Sequence, residues 1–329
     1  MNNIKRIIQT ANTNPREKYN ILTFPTHERY ETQLSKTGHN FYALNIANTK
    51  KWNENQTPIP PNYHTLPQNQ ICEYLNYDFI LVQSRYWQFQ FAHRINQNLQ
   101  LPIIVLDHTL PADAKIDTNS LNVLRTMVGD INVFISDYSK NAWAIDGNTI
   151  VIKHGIDTES FKPLEIKRDK CVLTVANEFV KRNHCLHYDL WCEITSAMNT
   201  KIVGDNPGLS ESAKTLDDLV SAYNSCQVYF NTSTTPIPMS LLEAMSCGCA
   251  VVTVSASMMP EIIKNGVNGF ITNDKDEMKK YINEIMNDDE LRNSLGNNAR
   301  QTILEQFSES KFTSEWNKVF NKAYEVSIS

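Results

Sequence analysis

A loop broken by prolines, Thr234-Thr235-Pro236-Ile237-Pro238-Met239, delivers Ser240 to the start of a short apolar helix. The helix runs through Leu241, Leu242 and Glu243 to a stop at Gly248, and a strand, Ala250-Val251-Val252-Thr253-Val254, follows. The first N–H groups of a helix lack intrahelical partners and lie at the positive end of its dipole, so this start suits a phosphate. Glu243 projects from the same first turn with a carboxylate that can accept hydrogen bonds from a vicinal diol. Together they form a nucleotide ribose-phosphate site in miniature. The strand behind makes the stretch a loop-helix-strand unit of an α/β sheet.

Such a unit needs a sheet to hold it, and the chain carries the pattern for two. At 329 residues it exceeds the usual size of one core, so two domains of roughly 150 residues are expected. In the first half, apolar strands at 19–24, 40–44, 79–82, 103–106, 131–135 and 149–152 alternate with helices at 86–98 and after the capping Ser136 or Asp137. In the second half, strands at 171–175, 201–204, 227–230, 250–254 and 269–271 alternate with helices at 183–198, 216–224, 275–287, 289–305 and 308–326. Leu186, Leu190, Ile194 and Ala197 are the expected buried face of the helix at 183–198. The fold class is therefore α/β, with two Rossmann-like parallel-sheet domains facing each other across a cleft. Domains of residues 1–164 and 165–307 are expected, joined by a solvated linker containing Lys167-Arg168-Asp169-Lys170. Residues 48–69, rich in Pro, Asn and Thr, read as a long surface loop whose Trp52, Tyr63 and His64 either stack on a ligand or anchor it to the core.

Composition excludes other classes. Hydrophobic residues at 41% and charged residues at 20% describe an ordinary soluble globular protein. A net charge of −5 without a dense basic run offers no general attraction to nucleic acid or anionic lipid. The N-terminus lacks a signal-peptide core, and no window approaches the ~18 apolar residues of a membrane span, so a cytoplasmic protein is expected. The seven cysteines show no framework spacing and read as reduced thiols. His184, Cys185, His187 and Cys192 scatter over several faces of one helix, so no metal site is expected. There is no nucleophile elbow or Walker-type loop.

Three segments in order carry a more specific signal: His154-Gly155-Ile156-Asp157-Thr158-Glu159-Ser160-Phe161-Lys162-Pro163, then Leu242-Glu243-Ala244-Met245-Ser246-Cys247-Gly248, then Met259-Pro260-Glu261-Ile262 running to Gly269-Phe270. With these the chain resembles the retaining nucleotide-sugar glycosyltransferases of the large group 1 family, most strongly over residues 150–275. The resemblance implies the GT-B fold, with a last helix, residues 308–329, crossing back onto the first domain. It implies a metal-independent enzyme without a cofactor that moves a hexosyl unit from a nucleotide diphosphate sugar, a UDP-sugar by default, to an acceptor hydroxyl on a glycan or small molecule. Its partners are then the nucleotide sugar and that acceptor. Glu243 falls on the ribose hydroxyls, and the amides around Met239, Ser240 and Leu241 on the distal phosphate. Arg182 or Lys181 falls on the diphosphate cation, and His108, just past a strand of the first domain, faces the donor sugar.

The sequence also departs from that pattern. The family's Gly-Arg pair is Ala176-Asn177, so one of two diphosphate cations is missing. Its Gly-rich loop after the first strand is Pro25-Thr26-His27-Glu28-Arg29, where His27 or Arg29 is the available substitute. Its paired glutamates are eight residues apart, and Thr235 stands where the partner of Glu243 belongs. A hydroxyl makes a hydrogen bond but supplies no negative charge. The sugar is then expected to be held by backbone groups of Pro236, Ile237, Pro238 and Met239 and by His108. The rival readings are a nucleotide-sugar epimerase on the same fold and a catalytically silent nucleotide-sugar-binding protein.

Overall fold

The computed structural model describes residues 18–24, 26–46, 52, 54, 57–67, 70, 71, 75–111 and 117–328, apart from the side chains of 327 and 328. Its contacts divide the chain into two units, Met1–Gly155 with Ser310–Ser329, and Ile156–Glu309.

The first unit is built on strands β1 (Asn20–Thr23), β2 (Asn40–Leu44), β3 (Tyr63–Leu66), β4 (Phe79–Val82), β5 (Ile103–Asp107), β6 (Ile131–Phe134) and β7 (Thr149–Val151). They pair in the order β3-β2-β1-β4-β5-β6-β7, and every pair is parallel. Strands β4, β5 and β6 are buried along their whole length, as central parallel strands covered on both faces must be. That explains their unbroken apolar runs. Helix α1 (Glu28–Ser35) follows β1 and α2 (Trp87–Leu99) follows β4. Helices α3 (Thr118–Arg125) and α4 (Asp137–Trp143) precede and follow β6, and the Ser136 hydroxyl caps α4 by accepting from the Ser139 N–H at 2.9 Å.

The second unit contains β8 (Asp169–Val175), α5 (Asn183–Leu186), α6 (Tyr188–Thr195), β9 (Thr200–Val203), α7 (Leu216–Ser225), β10 (Cys226–Asn231), α8 (Met239–Ser246), β11 (Ala250–Thr253), α9 (Met259–Ile262), β12 (Phe270–Ile271), α10 (Lys275–Asn287) and α11 (Asp289–Gln306). Its strands pair in the order β12-β11-β10-β8-β9, again all parallel. Helix α12 (Glu309–Ile328) carries the chain into the first unit. Phe312, Trp316, Val319, Phe320 and Ala323 recur at helical spacing and are buried. Phe320 stacks on Phe79 with ring centroids 5.4 Å apart, and the Trp316 indole N–H donates to the Tyr30 hydroxyl at 3.2 Å.

Five local expectations need correction. The loop at 48–69 contains β3, which adds to the sheet edge beside β2 because Tyr63 buries its ring against Phe41 and Trp52. Tyr63 therefore anchors this segment, and His64 stacks on Tyr42 at 5.1 Å; residues 48–51, 53, 55, 56, 68 and 69 lie outside the described residues. The helix expected over 183–198 breaks at His187, which adopts a left-handed φ of 53°. Leu186 and Ile194 are buried as expected, Leu190 is half-buried, Ala197 is exposed, and the Trp191 ring fills the core instead. Arg168 is no solvated linker charge, since its guanidinium donates to the carbonyls of Tyr223 and Cys247 at 2.7 Å each and of Cys226 at 3.1 Å. Finally, Cys171 and Cys226, brought together by β8 and β10, form a disulfide with Cα atoms 5.1 Å apart. Their separation of 55 residues follows no spacing motif; Cys185, Cys192, Cys247 and Cys249 are free thiols and Cys72 lies outside the described residues.

At the end of β9 the backbone of Gly204 lies against the loop that leaves β8. Its φ is +144°, and a Cβ there would come within 1.9 Å of the Ala176 carbonyl oxygen. Only glycine accommodates both. Gly204→Ala is expected to lower unfolding stability by about 2 kcal/mol or more; a urea midpoint equal to that of the parent protein would contradict this packing.

Candidate functional site

Strand β8 pairs β9 on one side and β10 on the other, so the chain order reverses at β8. In open parallel sheets this switch point leaves a crevice at the carboxyl ends of the strands. The loops that border it here are 176–182 and 232–238, followed by the start of α8.

The first loop is held from below by Asn206. Its side-chain oxygen accepts from the Phe179 N–H at 2.6 Å and its NH2 donates to the Ala176 carbonyl at 2.8 Å. Asn177 itself turns back, accepting from the Asp205 N–H at 2.9 Å. At the end of the loop the two candidate cations part company. Lys181 is exposed and paired with Glu178 at 2.5 Å. Arg182 is half-buried, and its guanidinium has no hydrogen-bond partner among the described residues.

The second loop is strapped to the turn after Arg182. The Thr234 N–H donates to the Cys185 carbonyl at 2.8 Å, the Thr232 hydroxyl to the Leu186 carbonyl at 2.6 Å, and His187 Nε2 lies 3.3 Å from Thr234 Oγ1. Helix continuity at His187 is given up for these bonds. The Thr235 hydroxyl is 2.7 Å from that of Ser233, so its side chain is folded onto its own loop. Pro236, Ile237, Pro238, Met239 and Ser240 are all half-buried.

Helix α8 starts at Pro238 without a side-chain cap, and the Leu241 N–H turns back to the Pro238 carbonyl at 3.0 Å. An uncapped start leaves donors for a ligand. Glu243 is only 2% exposed, and one carboxylate oxygen accepts from the Tyr223 hydroxyl at 2.7 Å. Tyr229, beneath the helix, is hydrogen-bonded to the Ser240 side chain. Sequence reasoning missed Asn206, Tyr223 and Tyr229. The legible signal was a tyrosine on the apolar face of a helix and another within a strand, whose hydroxyls require partners when buried.

In the first unit the order reverses at β1, between β2 and β4. Four polar side chains meet there at the strand ends. Gln83, after β4, donates from Nε2 to Glu31 Oε1 at 2.7 Å, and its Oε1 lies 3.1 Å from His108 Nε2, after β5. The Thr26 hydroxyl lies 2.9 Å from Gln83 Oε1 and 3.1 Å from Glu31 Oε1. His27 and Arg29 are exposed, and Pro25 lies outside the described residues. Among the described residues no group of three or more His, Cys, Asp or Glu is placed to hold a metal ion, and no helix is long and apolar enough to cross a membrane.

The chain is similar to known proteins. Residues 211–302, which hold Tyr223, Thr235, Met239, Ser240, Leu241 and Glu243, match the family model of glycosyl transferases group 1. An uncharacterized glycosyltransferase of Methanocaldococcus jannaschii is 34% identical over 85 residues, 25% of this chain and 22% of the relative, so the match spans about a fifth of that relative's length. Another uncharacterized glycosyltransferase of that organism is 28% identical over 334 residues, 93% of this chain and 90% of the relative. Among solved structures, HepE of Anabaena in complex with UDP and glucose is similar with a TM-score of 0.73 at 16% identity, covering 93% of this chain and 100% of that one. The fold is GT-B.

Electrostatics differ sharply across the N-terminal half of this GT-B chain. Burial pushes the Glu31 carboxyl up to about 7, although hydrogen bonds from Gln83 and Thr26 oppose the rise. Burial also pushes His108 down to about 3, with the neighbouring His154 and His27 adding to it, and His154 down to about 4. Beneath them the buried Arg85 Nε donates to Asp107 Oδ2 at 2.7 Å. Desolvation outweighs that attraction and raises Asp107 to about 6. The signs are opposite. The histidines bind protons more readily unfolded, so their contribution is lost as pH falls below the ordinary histidine value of 6.5. Glu31 binds its proton more readily folded, so its contribution is lost as pH rises from 4.5 through about 7.

Glu31→Gln removes this titration while keeping an oxygen for Gln83. Relative to the parent, the variant is expected to gain stability as pH rises across that window, by up to about 3 kcal/mol. Urea unfolding at pH 5 and pH 8 measures it, and a stability difference that does not change with pH would refute the raised carboxyl.

Proposed function

We propose that the chain is a retaining, metal-independent glycosyltransferase moving a hexosyl unit from a nucleotide diphosphate sugar, with a UDP-sugar as the default donor, to an acceptor hydroxyl. The observation that carries this reading is the uncapped start of Met239–Ser246 with Glu243 one turn further along the helix rather than in its first turn, at the switch point of the second sheet and inside the stretch that matches the group 1 family. The complex of HepE with UDP and glucose supports the choice of donor class.

In this proposal the helix-start amides of Met239 and Ser240 receive the distal phosphate, the expected third amide, that of Leu241, being taken by the Pro238 carbonyl. The Glu243 carboxylate receives the ribose hydroxyls while Tyr223 holds it in place. Thr235, Pro236, Ile237, Pro238 and Met239 line the sugar, and His108 is assigned to the sugar by the resemblance to the family. The bond from the anomeric carbon to the diphosphate oxygen breaks as the acceptor oxygen bonds to that carbon from the same face. The acceptor's proton passes to the departing diphosphate. Fixed dipoles and one cation stabilise the charge that develops there.

A second reading, a nucleotide-sugar binder without turnover, is favoured by Thr235 and Asn177 standing where the family has a carboxylate and a cation. Incubation with a panel of nucleotide sugars in the presence of EDTA separates the readings. A transferase releases nucleotide diphosphate slowly by hydrolysis, an epimerase changes the sugar, and a binder does neither. Turnover that appears only when Mg²⁺ is restored would overturn metal independence.

The structure sets different expectations for the two cations. The Arg182 guanidinium has no hydrogen-bond partner among the described residues, whereas Lys181 is already held by Glu178. Arg182→Ala is expected to lower kcat by roughly 10²–10³, and Lys181→Ala by less than about tenfold. Equal losses in the two variants would remove Arg182 from the diphosphate.

A further inference from the structure

The polar cluster at the switch point of the first unit has a direction built into it. A glutamine amide has an oxygen that only accepts and a nitrogen that only donates, and the two look alike in outline, so the neighbours must decide which is which. On one side of Gln83 lie Glu31 Oε1 at 2.7 Å and the Phe24 carbonyl oxygen at 3.3 Å. Both are acceptors, and the Phe24 carbonyl is one at every pH. A flipped amide would set an oxygen against two oxygens. The NH2 therefore faces Glu31 and Phe24, and the amide oxygen faces His108 and Thr26.

The histidine has no such freedom left. Its Nε2 lies 3.1 Å from the Gln83 oxygen, which can only accept, so that nitrogen must carry a hydrogen. The ring is kept neutral by burial and by His154 and His27 around it, so it carries a single hydrogen. Tyr30 packs edge-on against the imidazole at 4.5 Å, and His154 lies parallel to it at 6.2 Å, which hinders its rotation. The backbone of Gln83 is pinned as well, its N–H donating to Gln88 Oε1 at 2.8 Å.

We propose that Gln83, clamped by Glu31 and the Phe24 carbonyl, is a positioning residue that fixes His108 as the Nε2–H tautomer and leaves Nδ1 as the acceptor of the ring. Nδ1 is engaged by no described residue. Any group it meets must bring its own hydrogen, which selects a sugar hydroxyl over an ether oxygen or a carboxylate. This deepens the proposed transferase reading in what His108 does there, while the tautomer itself follows from contacts within one unit.

Glutamate 31 serves the clamp in both of its protonation states. Its Oε1 accepts from Gln83, from the Thr26 N–H at 3.1 Å and, in competition with Gln83, from the Thr26 hydroxyl. Oε2 accepts no hydrogen bond from a described residue, so a proton taken up near neutral pH can sit there while Oε1 keeps its bonds and the Gln83 amide keeps its orientation.

The test is a long-range proton–nitrogen correlation spectrum of the full chain labelled with ¹⁵N-histidine, which resolves the two ring nitrogens of its eight histidines. His108→Asn identifies the resonances concerned. At pH 7 the His108 ring is expected to show protonated Nε2 and bare Nδ1, and a folded Gln83→Met variant is expected to show a mixture of both tautomers. Protonated Nδ1 in the parent protein, alone or with Nε2, would overturn the proposal even if the variant does not fold. So would an unchanged tautomer in a folded Gln83→Met. Turnover of His108→Asn is read separately: full activity would remove His108 from the transferase reading and leave the tautomer standing.

Discussion

The second unit depends on the parallel pairing of Asp169–Val175 with a neighbour on each side. A parallel sheet needs a crossover between consecutive strands, and the crossovers leave this strand's two neighbours in opposite directions. No loop passes over the gap between them. The loop carrying Arg182 and the loop carrying Thr235 stand at that gap, and the helix holding Glu243 begins where the second loop ends. Each candidate residue of this unit is therefore placed by strand order before any side chain makes a contact.

Strand order alone would leave long irregular loops with unsatisfied backbone groups, a costly state when buried. Side chains fill that role. Asn206 supports the loop after β8, Arg168 collects the carbonyls of Tyr223, Cys226 and Cys247, and Arg300 donates to the Phe161 and Thr158 carbonyls at 2.7 and 2.9 Å. Arg300 also donates to the Ser246 carbonyl at 2.9 Å, and so holds the segment at 156–163 against the end of Met239–Ser246. None of these side chains is expected to meet a ligand, and all of them fix the frame in which a ligand would bind.

Much of this was legible in the sequence. Continuous apolar runs gave the central strands within a residue or two at each end, because a parallel strand covered on both faces must be apolar throughout. The uncapped helix start was read from two prolines and a glycine stop. Contacts between distant segments were not legible. Nothing in residues 183–198 announces a break at His187, because the bonds that favour it come from Thr232 and Thr234. The Cys171–Cys226 disulfide and the clamp at Arg168 are likewise products of strand pairing. Glu31 was passed over because a polar residue in an amphipathic helix ordinarily faces water, and Gln83 because a polar residue just past a strand reads as loop; only the sheet order brings both to His108.

The bonds from Thr232 and Thr234 to the carbonyls of Leu186 and Cys185 have a consequence for motion. They join the two loops at the switch point into one mechanical piece, so neither can swing open without breaking bonds made by the other. Backbone excursions at Arg182 and at Thr235 are then correlated, and the amide of Thr234 exchanges with solvent only when both move. A ligand that settles one loop at the same time quiets the other, and the entropy lost on ordering the crevice is spread over a single cooperative element.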